Sequence, residues 1–281
     1  MYTLVAFHSL FNLIGIVIFL PLLTPFAGLS NRRFRDKIPH ASLFVGDATT
    51  TVSDAALAAV NEETAHLLTR VIRQNMRVFS PALPEPPGRL PVPGDFAVRA
   101  DGFSFDELYR QTKQLEGEIL AFAVRVQEEP LEPEESSRLN QLLAAVRNAV
   151  HSAKSLRDIR HDLEDFEDSP RREVSKYLEH FRSVMTALYG ELFGLRRDEN
   201  SRAVFQDFAD LLERINEWHD QLHREVFADI KSGRIDEKDI SSLLNVNREL
   251  LNSNIALLMA LSDYHLDAES SDALKQLPGA A

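Results

Sequence analysis

The sequence predicts an all-α protein that begins with one transmembrane helix and continues as an acidic helical bundle. Residues 5–29 read VAFHSLFNLIGIVIFLPLLTPFAGL and contain no Lys, Arg, Asp or Glu. After residue 50, apolar side chains recur at steps of three and four, which is the spacing of one helix face. No stretch alternates apolar and polar residues as a half-buried strand does, so a sheet is not expected.

The N-terminal segment is long enough to span a bilayer, because about 20 apolar residues cross its hydrocarbon core. A cleaved signal peptide is one alternative, but nothing basic precedes this segment and its apolar run is too long. A buried helix of a soluble domain is the other. The following basic cluster, NRRFRDK, predicts that the rest of the chain is cytoplasmic, beneath the cell (inner) membrane.

Two polar residues, His8 and Asn12, lie four positions apart and share one face of the predicted span. Polar groups without partners in hydrocarbon cost free energy, so both are expected to pack against protein. The chain contains no second hydrophobic segment of this length. Their expected partner is a second copy of the chain, another subunit or an upstream part of the same protein.

Charge is distributed unevenly along the chain. The net charge is −12, and the first 40 residues carry +3, which leaves −15 for the remainder. Such an acidic body lacks the basic surface that a phosphate backbone requires, so nucleic acid is excluded as the main partner. The absence of cysteine excludes disulfides and thiolate chemistry.

The first three predicted helices have recognisable starts. The first covers about 52–79, where apolar residues follow one side. The second begins at Ser104, which forms a capping-box motif with Glu107, and extends to about residue 128. Pro133 opens the third at a first-turn position, and two glutamates follow near the positive end of that helix.

The bounds of the later helices are predicted from residues that end or begin a helix. Ser169–Pro170 ends the third helix and begins the fourth, which reaches about Leu195. The fifth covers about 203–230, and Asp236 caps the sixth, which continues to about Leu261. Short connections between long helices imply antiparallel neighbours, so six helices suggest a pair of three-helix bundles.

These elements divide the chain into four parts: a span over 1–30, a basic juxtamembrane linker over 31–49, a helical domain over 50–265 and a disordered tail over 266–281. Within the helical domain, residues 80–94 contain six prolines and two glycines. That composition excludes helix and favours an extended, semi-rigid connection.

Several stretches resemble a known family of membrane proteins. AFHSLFNLIGIVIFLPLL is similar to the last membrane helix of bacterial sodium-dependent phosphate cotransporters. AAVNEETAHLLTRVIRQNMRVF, AVHSAKSLRDIRHDLEDF and DISSLLNVNRELLNSNIALLMAL resemble the PhoU-like helical domain often appended to those transporters. The resemblance covers roughly residues 4–29 and 50–262, and SAKSLRDIRH and LLNVNREL are its most specific parts.

The resemblance implies the C-terminal portion of a sodium:phosphate symporter whose cytoplasmic PhoU-like domain regulates phosphate transport. The family's membrane domain has two inverted repeats with Gln-Ser-Ser motifs that bind sodium and phosphate. This sequence contains neither, so we expect no transport by the chain alone, and its expected partner is an upstream transporter domain or a separate subunit. The alternative is a membrane-tethered helical adaptor or signalling module, self-associating as a homo-oligomer, that takes no part in transport.

A candidate site for a divalent metal follows from the same resemblance. PhoU proteins place carboxylates four apart in Glu-Arg-Ile-Gly-Asp motifs, and the nearest stretch here is LRDIRHD. Aligned on Ile159, Arg157 replaces the glutamate and His161 the aspartate, so the motif is degraded. Asp158, His161 and Asp162 still lie within about one turn and have metal-binding side chains. Because arginines alternate with them, a solvated face with local ion pairs is the expected interpretation.

Other polar residues are expected to have structural rather than catalytic or metal-binding roles. Asn247 and Asn254 lie on or beside the apolar stripe of the sixth helix, where buried polar groups fix register; with Arg248 they could instead contact the membrane domain or a regulator. His219 and His223 lack the zincin pattern, so a surface role is expected. No phosphate loop, nucleophile elbow or catalytic carboxylate pair stands out, and an enzyme is not expected.

Overall fold

The structure, a computed structural model, describes residues 11–12, 41–79, 104–194 and 201–280. Every regular element in these ranges is an α-helix, which confirms the predicted all-α class. The helices are α1 (Ser53–Phe79), α2 (Phe105–Gln127), α3 (Pro133–Glu167), α4 (Arg172–Gly194), α5 (Ser201–Lys231), α6 (Glu237–His265) and α7 (Ala268–Lys275).

The chain divides into two compact units, residues 1–40 and residues 41–281. In the first unit the structure describes only Phe11 and Asn12, which are helical and exposed. The rest of the predicted span, including His8, lies outside the described residues, as do the basic cluster and the proline-rich connection. None of the helices described is both long enough and apolar enough to cross a bilayer.

The helix starts follow from local sequence as predicted. The Ser104 hydroxyl accepts a hydrogen bond from the Glu107 backbone N–H at 3.3 Å, and the Glu107 carboxylate accepts one from the Ser104 N–H at 2.7 Å. This is a complete capping box at the start of α2. Pro133 lies in the first turn of α3. Asp236 is the N-cap residue of α6, although its side chain makes no capping hydrogen bond. Helix α6 extends to His265, four residues beyond its predicted end.

Two long helices, α3 and α6, pack along each other and form the centre of the second unit. Helices α1 and α2 pack against α3 and against each other. Helix α4 contacts α1, α3 and α6, while α5 packs mainly on α6. The core lies along these contacts, where apolar positions three and four residues apart are removed from water.

The expectation of a disordered tail over 266–281 is wrong for most of that range. Residues 268–275 form α7, and Leu274 is fully buried. The Lys275 ammonium lies 2.7 Å from the buried Asp263 carboxylate, and the Ser271 hydroxyl donates to the same carboxylate at 2.6 Å. A polar composition suggested disorder, but a buried carboxylate on α6 requires partners, and α7 supplies them.

Candidate functional site

The N-terminal end of the second unit is held to the bundle by two carboxylates. The Glu63 Oε2 atom on α1 accepts hydrogen bonds from the backbone N–H groups of Leu43, Phe44 and Val45 at 2.8, 2.6 and 3.1 Å. The Glu118 carboxylate on α2 accepts those of residues 41 and 42 at 3.1 and 2.8 Å. Five successive N–H groups therefore bind two carboxylates, as in a backbone anion nest. We call residues 41–45 with Glu63 and Glu118 the anchor.

Buried charge is compensated inside the anchor. Glu63 and His66 are 0% and 1% exposed, and His66 Nδ1 donates to Glu63 Oε1 at 2.7 Å. Burial opposes ionisation of Glu63, but the hydrogen bonds from His66 and the backbone together lower its pKa. Burial lowers the pKa of the neighbouring Arg70 to about 10, although the Glu63 charge opposes that shift.

The anchor changes the predicted extent of the juxtamembrane linker. The linker was expected to cover residues 31–49, yet residues from 41 onward belong to the bundle unit. Val45 is buried in the core, which a loose linker would not permit. The connection between the predicted span and the folded bundle is therefore shorter than expected. The sequence contains one indication of the anchor: Glu63 lies on the same face of α1 as the apolar residues Val60 and Leu67, where a carboxylate needs a partner.

A second polar group lies at the centre of the bundle. The Asn75 amide donates to the Ser152 hydroxyl at 3.0 Å, and the Ser253 hydroxyl contacts the Ser152 hydroxyl at 2.9 Å. These residues join α1, α3 and α6. Tyr189 of α4 lies beside Asn75 and Ser253, and burial raises the pKa of its phenol. The hydrogen bonds fix α1, α3 and α6 relative to one another, with Tyr189 of α4 packed beside them, and were not predicted from the sequence.

A cleft of about 690 Å³ opens between α3, α5 and α6, and we call it the polar cleft. The Asn245 amide donates to Asp162 at 3.1 Å, while its oxygen accepts from Arg248 at 2.9 Å. His219 and His223 also line this cleft, with ring centroids 6.1 Å apart. The structure thus brings together one predicted metal ligand, one predicted regulatory residue and the histidine pair.

The predicted metal residues do not converge. Asp158 is exposed, and the His161 ring is exposed with its Nδ1 3.3 Å from a carboxylate oxygen of Glu164. Asp162 is the member that faces the polar cleft, where Asn245 engages it. Across the ranges described, no three His, Asp or Glu side chains are placed together to hold a metal ion.

The two asparagines of the predicted polar seam are both buried on α6. Asn247 donates to the His219 carbonyl oxygen at 3.2 Å, which ties α6 to α5. The Asn254 amide has a weaker contact, 3.5 Å to the Met185 sulfur on α4. Arg248, between them in sequence, is exposed and also lies 3.3 Å from Glu249. One asparagine therefore makes an ordinary interhelical hydrogen bond, and the other does not.

Comparison of this chain with protein-family models, curated proteins and solved structures gives no match.

Proposed function

We propose that this chain is the C-terminal portion of a sodium:phosphate symporter, comprising its last membrane helix and a cytoplasmic PhoU-like domain that regulates phosphate transport. The resemblance of the N-terminal span and of three helical stretches supports the family. The transporter's membrane domain, in the same protein or in a separate subunit, is the proposed partner. The chain alone is not transport-competent under this proposal.

The observation that carries the proposal is the anchor. Residues 41–45 come directly after the predicted span and basic segment, and all five of their N–H groups bind Glu63 and Glu118. The start of the bundle unit is therefore firmly joined to its helices. Under the proposal, a domain joined firmly to the segment that follows the predicted span can bias a transporter by contacting one of its conformational states more favourably than another.

The helix arrangement also supports a PhoU-like domain. In the first set of three, α1, α2 and α3 all contact one another. In the second set, α5 packs on α6, while α4 contacts α6 but contacts α1 and α3 more extensively. Helices α3 and α6, one from each set of three, form the central contact. We propose that these sets are the two three-helix bundles that the resemblance implies.

A membrane-tethered adaptor is the second candidate. It requires only the predicted span and the bundle, without the membrane repeats of a transporter. Self-association through the face of the span that carries His8 and Asn12 would then satisfy those polar groups. This candidate predicts no dependence of phosphate uptake on the bundle.

Sodium-dependent uptake of radiolabelled phosphate in the source cells tests the proposal. A genomic deletion of residues 41–281 is expected to change uptake or its response to external phosphate, while the protein fractionates with membranes. Glu63→Gln is expected to produce part of the same change, because it weakens the anchor without removing the bundle. Glu129→Gln, at an exposed turn between α2 and α3, is the matched control.

Uptake that is unchanged by the deletion at both high and low phosphate would rule out transport regulation. Chemical cross-linking of the chain to itself, in the same cells, would then support the adaptor.

A further inference from the structure

A small cavity lies where α4, α5 and α6 meet. Its volume is about 30 Å³, and Met185, Trp218, His219 and Asn254 are among the residues that line it. A water molecule requires roughly 10–15 Å³ of such space, so this cavity has room for one or two. It is too small for an organic ligand of ordinary size.

Two residues that line this cavity each have a buried polar atom with no hydrogen-bond partner among the residues that the structure describes. The Asn254 Oδ1 atom is one, and the side chain of Asn254 is only 6% exposed. The His219 Nδ1 atom is the other. An unsatisfied buried polar atom costs about 1–3 kcal/mol, so native proteins almost always give such atoms a partner.

We infer that this cavity is an internal hydration site, in which one or two water molecules hydrogen-bond Asn254 Oδ1 and His219 Nδ1. The space and the number of polar partners fit water, whereas a dry cavity of this size is normally lined by apolar groups alone. His219 also lines the polar cleft, which is open to solvent and supplies a route for exchange. The inference is independent of the proposed function.

The site explains why a polar residue persists at position 254. Within the described part of the chain, that amide has only a thioether contact, which does little to fix helix register. Bound water satisfies the amide in its place and lies between α4, α5 and α6. The contact of α4 and α5 with α6 is therefore partly mediated by solvent at this point, unlike the direct hydrogen bonds that Asn75, Ser152 and Ser253 make.

X-ray radiolysis of the full-length chain in oxygen-18 water tests the inference. Hydroxyl radicals form at water molecules and oxidise the nearest susceptible side chain, and methionine is readily oxidised. Met185 is 2% exposed and lines the cavity. Met76 and Met259 are similarly buried, at 7% and 5%, and do not line it, so they are internal controls.

The expected result is a several-fold higher rate of oxygen-18 labelling at Met185 than at Met76 or Met259. Asn254→Leu should bring Met185 down to the rate of those controls, with the helix content unchanged by circular dichroism. Asn252→Leu, a partly exposed position on the same helix, should leave the Met185 rate as it was.

Equal labelling of the three methionines in the unaltered protein would overturn the hydration site. So would a Met185 rate that Asn254→Leu does not lower. A crystal structure of the full chain that resolves water provides a direct check, since density is expected within hydrogen-bonding distance of both polar atoms.

Discussion

The anchor and the hydration site bury polar groups in opposite ways. At the anchor, Glu63 receives three backbone N–H groups and His66, so the protein itself compensates the buried charge. At the cavity, Asn254 and His219 each keep a buried atom that no described residue of the protein hydrogen-bonds. The charge is thus held more firmly than the neutral amide.

This difference between the anchor and the hydration site indicates which part of the bundle can rearrange more easily. Removing a hydrogen-bonded charge partner leaves a buried group unsatisfied, and that cost resists movement of the anchor. Water can be exchanged or displaced at a lower cost, so the packing immediately around Asn254 can adjust more easily. The bundle is therefore held more firmly at the anchor than around the cavity.

Removal of α7 is expected to have the largest effect on stability. A chain ending at Leu266 loses the burial of Leu274, worth roughly 2 kcal/mol. It also leaves the fully buried Asp263 without Ser271 and Lys275, which costs a further 1–3 kcal/mol or so. Denaturant unfolding should show a loss of about 4 kcal/mol, and an unchanged midpoint would mean that α7 is not packed on the bundle.

Glu63→Gln is the direct test of the anchor. We expect unfolding free energy to fall by about 3 kcal/mol, because the substitution breaks a buried charge pair and weakens the bonds to three N–H groups. Glu129→Gln at the exposed turn should change it by less than about 0.5 kcal/mol. Similar values for the two variants would show that residues 41–45 are not held by this carboxylate.

Acid should remove the difference between the wild type and Glu63→Gln. The pKa of Glu63 is lowered from its ordinary value of 4.5, so the ionised form is preferentially stabilised in the folded protein. That contribution is complete above the unfolded-state pKa and is lost as pH falls through the folded-state pKa. The unfolding free energies of the wild type and Glu63→Gln should therefore converge below about pH 4.5. Their difference should shrink by at most about 1.4 kcal/mol per pH unit.

Ser253→Ala tests the direct hydrogen bonds that join α6 to α3 at the centre of the bundle. Removing its hydrogen bonds with Ser152, to the hydroxyl and to the carbonyl oxygen, should cost about 1 kcal/mol. Ser241→Ala lies on the exposed side of the same helix and is the matched control, with little expected change. Equal unfolding free energies for these two variants would mean that the hydrogen bonds between Ser152 and Ser253 add nothing to stability.

Asn254→Leu is expected to have the smallest effect. Leu has the same branched shape as Asn but is larger, so its extra volume can replace the water inferred at the cavity. The hydrogen bond to a described protein atom that the substitution removes, from the amide to the Met185 sulfur, is long and weak. The unfolding free energy should therefore change by less than about 1 kcal/mol in either direction. A decrease as large as that of Glu63→Gln would show that the amide has a strong protein partner.

Much of the fold could be predicted because its signals are local. The capping box at Ser104, the first-turn position of Pro133 and the N-cap residue Asp236 each depend on neighbours within one turn. The apolar stripes indicated the six long helices for the same reason. Helix α7 was missed because its stability comes from Asp263 and from its buried Leu274 rather than from its own composition.

The sites were less predictable than the helices. Asn247 and Asn254 are both buried on α6, but their different partners depend on which residues α4 and α5 place opposite them. Asp158, His161 and Asp162 are close in sequence, yet only Asp162 faces the polar cleft. Which of these residues meets the cleft is decided by where α5 and α6 pack on α3, and Asp162 is the one that Asn245 engages there.

By itself, the sequence determined the all-α class, the positions of the long helices and the acidic character of residues after 40. Tertiary structure decided which buried polar groups are satisfied, and by what. It joined Glu63 to residues 41–45, brought α7 to Asp263, and left Asn254 beside a cavity. Periodicity acts over a few residues, whereas hydrogen bonding of buried groups depends on atoms that only folding brings together.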